Sequence, residues 1–341
     1  MPTKTRIEFI DLAKGFCILL VVFYHITNHY KLEMPLDNFF KAFRLPLYFF
    51  LSGMFFKEYG GFWDFCKRKI NKLLIPFVFW LLMSFLFTYA SNVFGIRIWT
   101  SYLYDSFSGT LFGVLKGSYP NAPIWFLICL FEVNILFYIC LYLSGHKMDK
   151  TIQIIIISFL FACVGILLWA MHLRLPLNMD SSFTALPFFM FGYVISQRTN
   201  LLSLQEWDKY IPIIIIILFA VVYVFSPFYS LKNNNLNLYA IFAMYPTGLL
   251  GTLGIILLAK WIKKIPVVVY WGRYSIMILV SHVFIYYLIS LTIPFFNRQN
   301  GSWEIMILNM LLTMGVCSLL IPFYKKYLPY VTAQKDLIPV Q

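Results

Sequence analysis

Long apolar blocks alternate with short polar connections along this chain, and each block is about as long as a bilayer core is thick. Ten runs stand out, at 10–30, 39–56, 73–91, 124–143, 152–171, 183–197, 211–228, 237–259, 272–293 and 303–323. A helix rising 1.5 Å per residue needs about 20 apolar residues to cross a hydrocarbon layer of ~30 Å. Inside that layer every backbone polar group must be satisfied within the segment, which a helix does. The pattern therefore predicts an all-α, polytopic integral membrane protein of about ten transmembrane helices, forming one domain over residues 1–341. The sixth run is the weakest, being short and carrying Pro187 and Gly192. The longest connection, about 92–123, holds Gly109, Gly113, Gly117, Pro120 and Pro123 and reads as a structured surface loop.

Composition sharpens this reading. Of 341 residues, 61% are hydrophobic and 12% charged, against about 25% charged in a soluble domain. Aromatic residues make up 20%, many near block ends, where interfacial belts form. The formal net charge of +13 does not point to nucleic acid, because the cations sit between apolar blocks rather than along one polar face. With the N-terminus in the cytoplasm, 19 of the 27 Lys and Arg fall on that side. The other 8 are Lys31, Lys41, Arg44, Arg97, Lys116, Arg174, Lys232 and Arg298. The positive-inside rule then places both N- and C-termini in the cytoplasm. Six scattered cysteines form no CxxC pair and read as small hydrophobes. The first run carries Asp11 and Lys14 and has no small-residue cleavage site after it, so it is not a cleavable signal.

Ionisable groups inside a span cost about 2.5–3.5 kcal/mol on insertion scales, which makes each one a functional candidate. The first run is the richest: DLAKGFCILLVVFYHITNHY holds Asp11, Lys14, His25 and His29. Lys14 and His25 are close to three turns apart on one face, about 16 Å along the axis, and Asp11 can pair with Lys14. His25 reads either as a hydrogen-bonded packing residue or as a proton-transfer group. A metal held by the His25/His29 pair has little support, because no carboxylate accompanies it. Ser52 and Gly53 break the second run and permit close helix approach or a kink. Lys67, Arg68, Lys69 and Lys72 precede Pro76 and read either as a topogenic cluster or as an anion site. In the ninth run Arg273 stands at the entrance, with Ser275 and His282 seven residues apart on one face. Glu132, inside the fourth run, must pair or be protonated.

Taken together, these segments resemble the acyltransferase-3 family of membrane O-acyltransferases. IDLAKGFCILLVVFYH is similar to that family's first-helix signature of a basic residue, ten intervening residues and then a histidine. LPLYFFLSGMFF resembles its second-helix motif, KINKLLIP its spaced basic pair before proline, and IWFL and GRYSIMILVSH further segments. The likeness runs from residue 6 to about 290. Lysines stand at 14, 69 and 72 where the family often has arginine, which keeps the charge and loses the bidentate fork.

The resemblance implies a plasma (inner) membrane enzyme that transfers an acetyl group from cytoplasmic acetyl-CoA to a hydroxyl. The acceptor would be a cell-envelope glycan or lipid-linked sugar. By the same resemblance Arg68, Lys69 and Lys72 would hold the CoA phosphates, with the pantetheine arm reaching through a channel toward His25. His25 would be general base or covalent acyl carrier. Asp11 and Lys14 would shape the inner channel, and His282 would orient the acceptor or stabilise the oxyanion. No metal is expected, and the partners are acetyl-CoA, the acceptor and membrane lipids. A polysaccharide exporter or flippase and a secondary transporter are the competing readings.

Overall fold

The computed structural model describes residues 7–93, 107–145, 151–203 and 206–340. Lys4, Arg6, Arg97, Lys147 and Lys150 of the charge count, and residues 94–106 of the long connection, lie outside them.

Helices run α1 Glu8–His29, α2 Asp37–Arg44, α3 Pro46–Met54 and α4 Phe62–Lys69. A π-helical turn over Ile70–Leu74 joins α4 to α5 Ile75–Val93. Then follow α6 Phe107–Leu115, α7 Trp125–Leu143, α8 Thr151–Ala170, α9 Met179–Arg198, α10 Ile211–Phe225, α11 Leu238–Ile262, α12 Pro266–Arg273, α13 Ser275–Thr292 and α14 Trp303–Tyr327. There is no β-strand among the described residues beyond one isolated Ser230–Asn235 bridge.

Among the described residues, eight helical segments are long and apolar enough to cross a bilayer: 8–29, 62–91, 122–143, 151–170, 208–225, 238–262, 275–292 and 303–327. The protein is a polytopic membrane protein. The two remaining expected spans take other forms. The run at 39–56 is split into α2 and α3, because Pro46 opens a new helix and has no N–H to continue the old one. The run at 183–197 lies in α9, a 20-residue helix whose first turns carry Asp180, Ser181, Ser182 and Thr184, all buried. Those side chains lower its hydropathy because they face protein rather than lipid.

The surface agrees with a lipid solvent. Ile152, Phe242 and Leu319 are more than 70% exposed, which water would penalise and lipid does not. The apolar window within 122–143 is 83% buried and that within 208–225 only 17%, so α7 is an interior helix and α10 a peripheral one.

The chain divides into two compact units. One comprises residues 1–51, 195–228 and 238–319; the other comprises 52–194, 229–237 and 320–341. In the first, α1 packs most extensively on α12, and two glycines explain how closely. A Cβ on Gly272 would fall inside the Asp11 carbonyl, and one on Gly15 inside the Val268 carbonyl. Gly272→Ala is therefore expected to cost about 1–3 kcal/mol by overpacking. The check is a lower midpoint of thermal unfolding in detergent, and an unchanged midpoint would refute so close a contact. In the second unit Gly53 meets the Phe189 backbone in the same way, which is close helix approach rather than a kink.

Candidate functional site

Three histidines gather in the first unit. His25 and His29 lie one turn apart on α1, and α13 supplies His282. The His25 and His282 rings have centroids 5.4 Å apart. His29 lies 5.2 Å from the Tyr286 ring and 4.7 Å from that of Tyr287. His25 is half-buried and His282 fully buried.

Hydrogen-bond direction fixes the state of His282. Its Nδ1 lies 2.8 Å from the Ile278 carbonyl, one turn back on α13. A carbonyl only accepts, so Nδ1 carries the proton. In the neutral ring Nε2 is then a bare lone pair, and it has no hydrogen-bond partner among the described residues. His282 thus offers an acceptor beside His25, not a donor.

The inner end of α1 is built around Asp11, which is buried. Arg273, at the end of α12, brings Nε to 3.7 Å from its Oδ2. Sequence spacing suggests Lys14 as the partner of Asp11; the close α1–α12 contact brings Arg273 to it. Lys14 is half-buried, and its carbonyl accepts from the Tyr48 hydroxyl at 2.9 Å. Arg44, which sequence reasoning passed over, is buried with its guanidinium 4.2 Å from the Tyr24 ring centroid and 3.4 Å from Asp37. Its signal was present as the one arginine inside the 39–56 run.

The basic cluster lies in the second unit, and its members differ. Arg68 is held by Asp64 at 3.0 Å and covers the Tyr59 ring. Lys72 contacts Asp336 Oδ1 at 2.9 Å and donates to the Ala333 carbonyl at 3.0 Å. Lys69 sits over the Phe65 ring at 5.2 Å and has no acidic partner among the described residues. Lys72 lies within the π-helical turn that begins just after Lys69, and this wider turn sets the two further apart around the axis than the neighbouring faces an α-helix would give them.

Asn71 was also missed. It is fully buried, donates to the Ile338 carbonyl at 2.8 Å, and accepts from the Leu337 and Ile338 amides. Trp80 adds a bond to the Val331 carbonyl. The C-terminal segment is thereby strapped onto the basic helix, with Asp336 presented to Lys72. That exposed ion pair is worth about 0–1 kcal/mol, so a phosphate can displace it.

The same unit holds a second polar group of residues. Ser182 donates to Glu132 Oε2 at 2.6 Å, which satisfies the carboxyl that the sequence left inside a span. Arg174 pairs with Asp180 at 2.8 Å, and the Lys232 carbonyl collects Asn178 and Ser181. Burial, and then the Arg174 charge, push the Lys232 ammonium below its ordinary range.

No group of three or more His, Cys, Asp or Glu among the described residues is arranged to hold a metal ion. A family model described as an acyltransferase domain matches residues 7–322. No curated protein and no solved structure matches the chain.

Proposed function

The chain belongs to the acyltransferase-3 family and is a membrane acyltransferase; from that premise we propose that it moves an acetyl group from acetyl-CoA to a hydroxyl of a cell-envelope glycan. The observation that carries this reading is the His25–His282 pair, one ring half-buried and the other held with a bare nitrogen beside it.

His25 is the more accessible ring and serves as the base. It takes the proton of the acceptor hydroxyl as that oxygen attacks the thioester carbonyl. The C–S bond then breaks, the ester C–O bond is complete, and the thiolate leaves as CoA thiol with the proton that His25 returns. His282 Nε2 accepts a hydrogen bond and so orients the acceptor; oxyanion stabilisation would demand a donor, which its neutral ring does not offer at that atom. Asp11, Lys14 and Arg273 set the charge at the inner end of α1.

Donor phosphates are held by Lys69 and Lys72. Lys69 supplies the unshared charge, and Lys72 contributes once Asp336 is displaced. The paired Arg68 plays the smaller part. Both termini face the cytoplasm in this reading, which puts the basic cluster on the donor's side of the plasma membrane.

The test is turnover of radiolabelled acetyl-CoA by the protein reconstituted in lipid vesicles. Acetate release or label transfer to added envelope glycan is the expected result. A protein that neither binds nor turns over the thioester would remove the basis for the donor assignment, and glycan export without thioester consumption would favour a flippase.

A further inference from the structure

We propose that His29 is a second acceptor-positioning residue, so that the enzyme grips two hydroxyls of one polyhydroxylated acceptor, one at His282 Nε2 and one at His29 Nδ1. This rests on the acyl-transfer reading above and specifies the acceptor it needs.

The protons around His29 can be counted one by one. His29 Nε2 lies 3.0 Å from Ser290 Oγ. The Ser290 hydroxyl donates to the Tyr286 carbonyl at 2.8 Å. Asn309 Nδ2 donates both to Ser290 Oγ at 3.2 Å and to the Tyr30 hydroxyl at 2.8 Å. The Tyr30 proton goes to the Phe296 carbonyl at 2.9 Å, and Thr313 donates to Asn309 Oδ1 at 3.1 Å, which fixes the amide's orientation.

With its own proton spent, Ser290 Oγ can only accept, so His29 Nε2 carries the hydrogen. Every donor in the network is then satisfied. Turning Ser290 round would move the ring proton to Nδ1, where no acceptor lies. His29 is 6% exposed and His282 0%, and Nδ1 of the first and Nε2 of the second both lack a hydrogen-bond partner among the described residues.

Two bare, buried ring nitrogens of matching polarity are costly to leave without donors. Both rings also contact Tyr286, at 5.2 and 6.3 Å between centroids. A ligand that satisfies both must bring two O–H or N–H groups, as a sugar ring does and a simple alcohol does not.

The experiment compares His29→Gln with His29→Asn in membranes given radiolabelled acetyl-CoA, scoring label in endogenous glycan against label released as acetate. Glutamine keeps a group at the Nε2 position for Ser290 and loses the acceptor at Nδ1; asparagine does the reverse. The expected result is that His29→Gln lowers transfer about tenfold more than hydrolysis, while His29→Asn lowers it less, one hydrogen bond being worth about that factor. A purely structural His29 would rank the two variants the other way, and that ranking overturns the proposal. Equal loss of transfer and hydrolysis in both also overturns it. If wild-type membranes consume no label, the acyl-transfer reading fails first and the subsite falls with it.

Discussion

Replacing His25 with alanine is expected to lower acyl transfer by about 10²- to 10⁴-fold, the usual contribution of a positioned proton-transfer group. The size follows from the lack of a substitute nearby. His282 is buried, with its Nδ1 proton committed to Ile278, and His29 is tied through Nε2 to Ser290. Neither can turn to the reacting hydroxyl without breaking a satisfied bond. The loss should fall on kcat with donor KM nearly unchanged, because the cations proposed to hold the donor are elsewhere in the chain. Since His25 is half-buried, removing its ring leaves a small void and the fold should persist, as a retained unfolding midpoint would show. Activity within tenfold of wild type would remove His25 from the role of base. An acetylated wild-type protein trapped on His25 would instead identify it as a covalent carrier.

The second large effect is expected at Lys69. Lys69→Gln should raise the donor KM about ten- to hundredfold, because a hydrogen bond to a charged group is worth about 1.5–3 kcal/mol. Lys72→Gln should raise it less, since Asp336 and the Ala333 carbonyl already share that ammonium. Removing the competitor works in the opposite direction: Asp336→Asn should lower the donor KM by up to about fivefold, the value of an exposed ion pair. Steady-state kinetics with acetyl-CoA reads all three. If Lys72 proves the more sensitive position, Lys69 is not the main donor contact; if none of the three moves KM, the cluster has only a topogenic role.

The apolar blocks made most of the fold legible, because a bilayer demands long uninterrupted runs and the chain supplies them. Where the reading changed, the cause was local chemistry or distant contact. Pro46 announced the split between α2 and α3, but a solid apolar run concealed it. Asp180, Ser181, Ser182 and Thr184 gave α9 its weak signal, which reported burial against protein. The wide turn at Ile70–Leu74 has no compositional signature, so the different fates of Lys69 and Lys72 could not be read from their spacing. Arg273 beside Asp11 depends on the Gly15 and Gly272 contacts between distant helices. The network around His29 draws on α13 and α14, more than 250 residues away. His25 and His282 were legible as candidates because imidazoles are rare in apolar runs; their tautomers belong to the geometry alone.

The strap formed by residues 331–338 has a practical consequence. Asn71 grips the backbone at Leu337 and Ile338, only a few residues from Gln341. A purification tag placed close after Ile338 would hang directly from this grip, and a polyhistidine or acidic epitope would bring foreign charge to the edge of Lys72. Michaelis constants measured on such a fusion would describe the tag together with the enzyme. Cleaving the tag, and repeating the measurement on the trimmed protein, restores the comparison between variants.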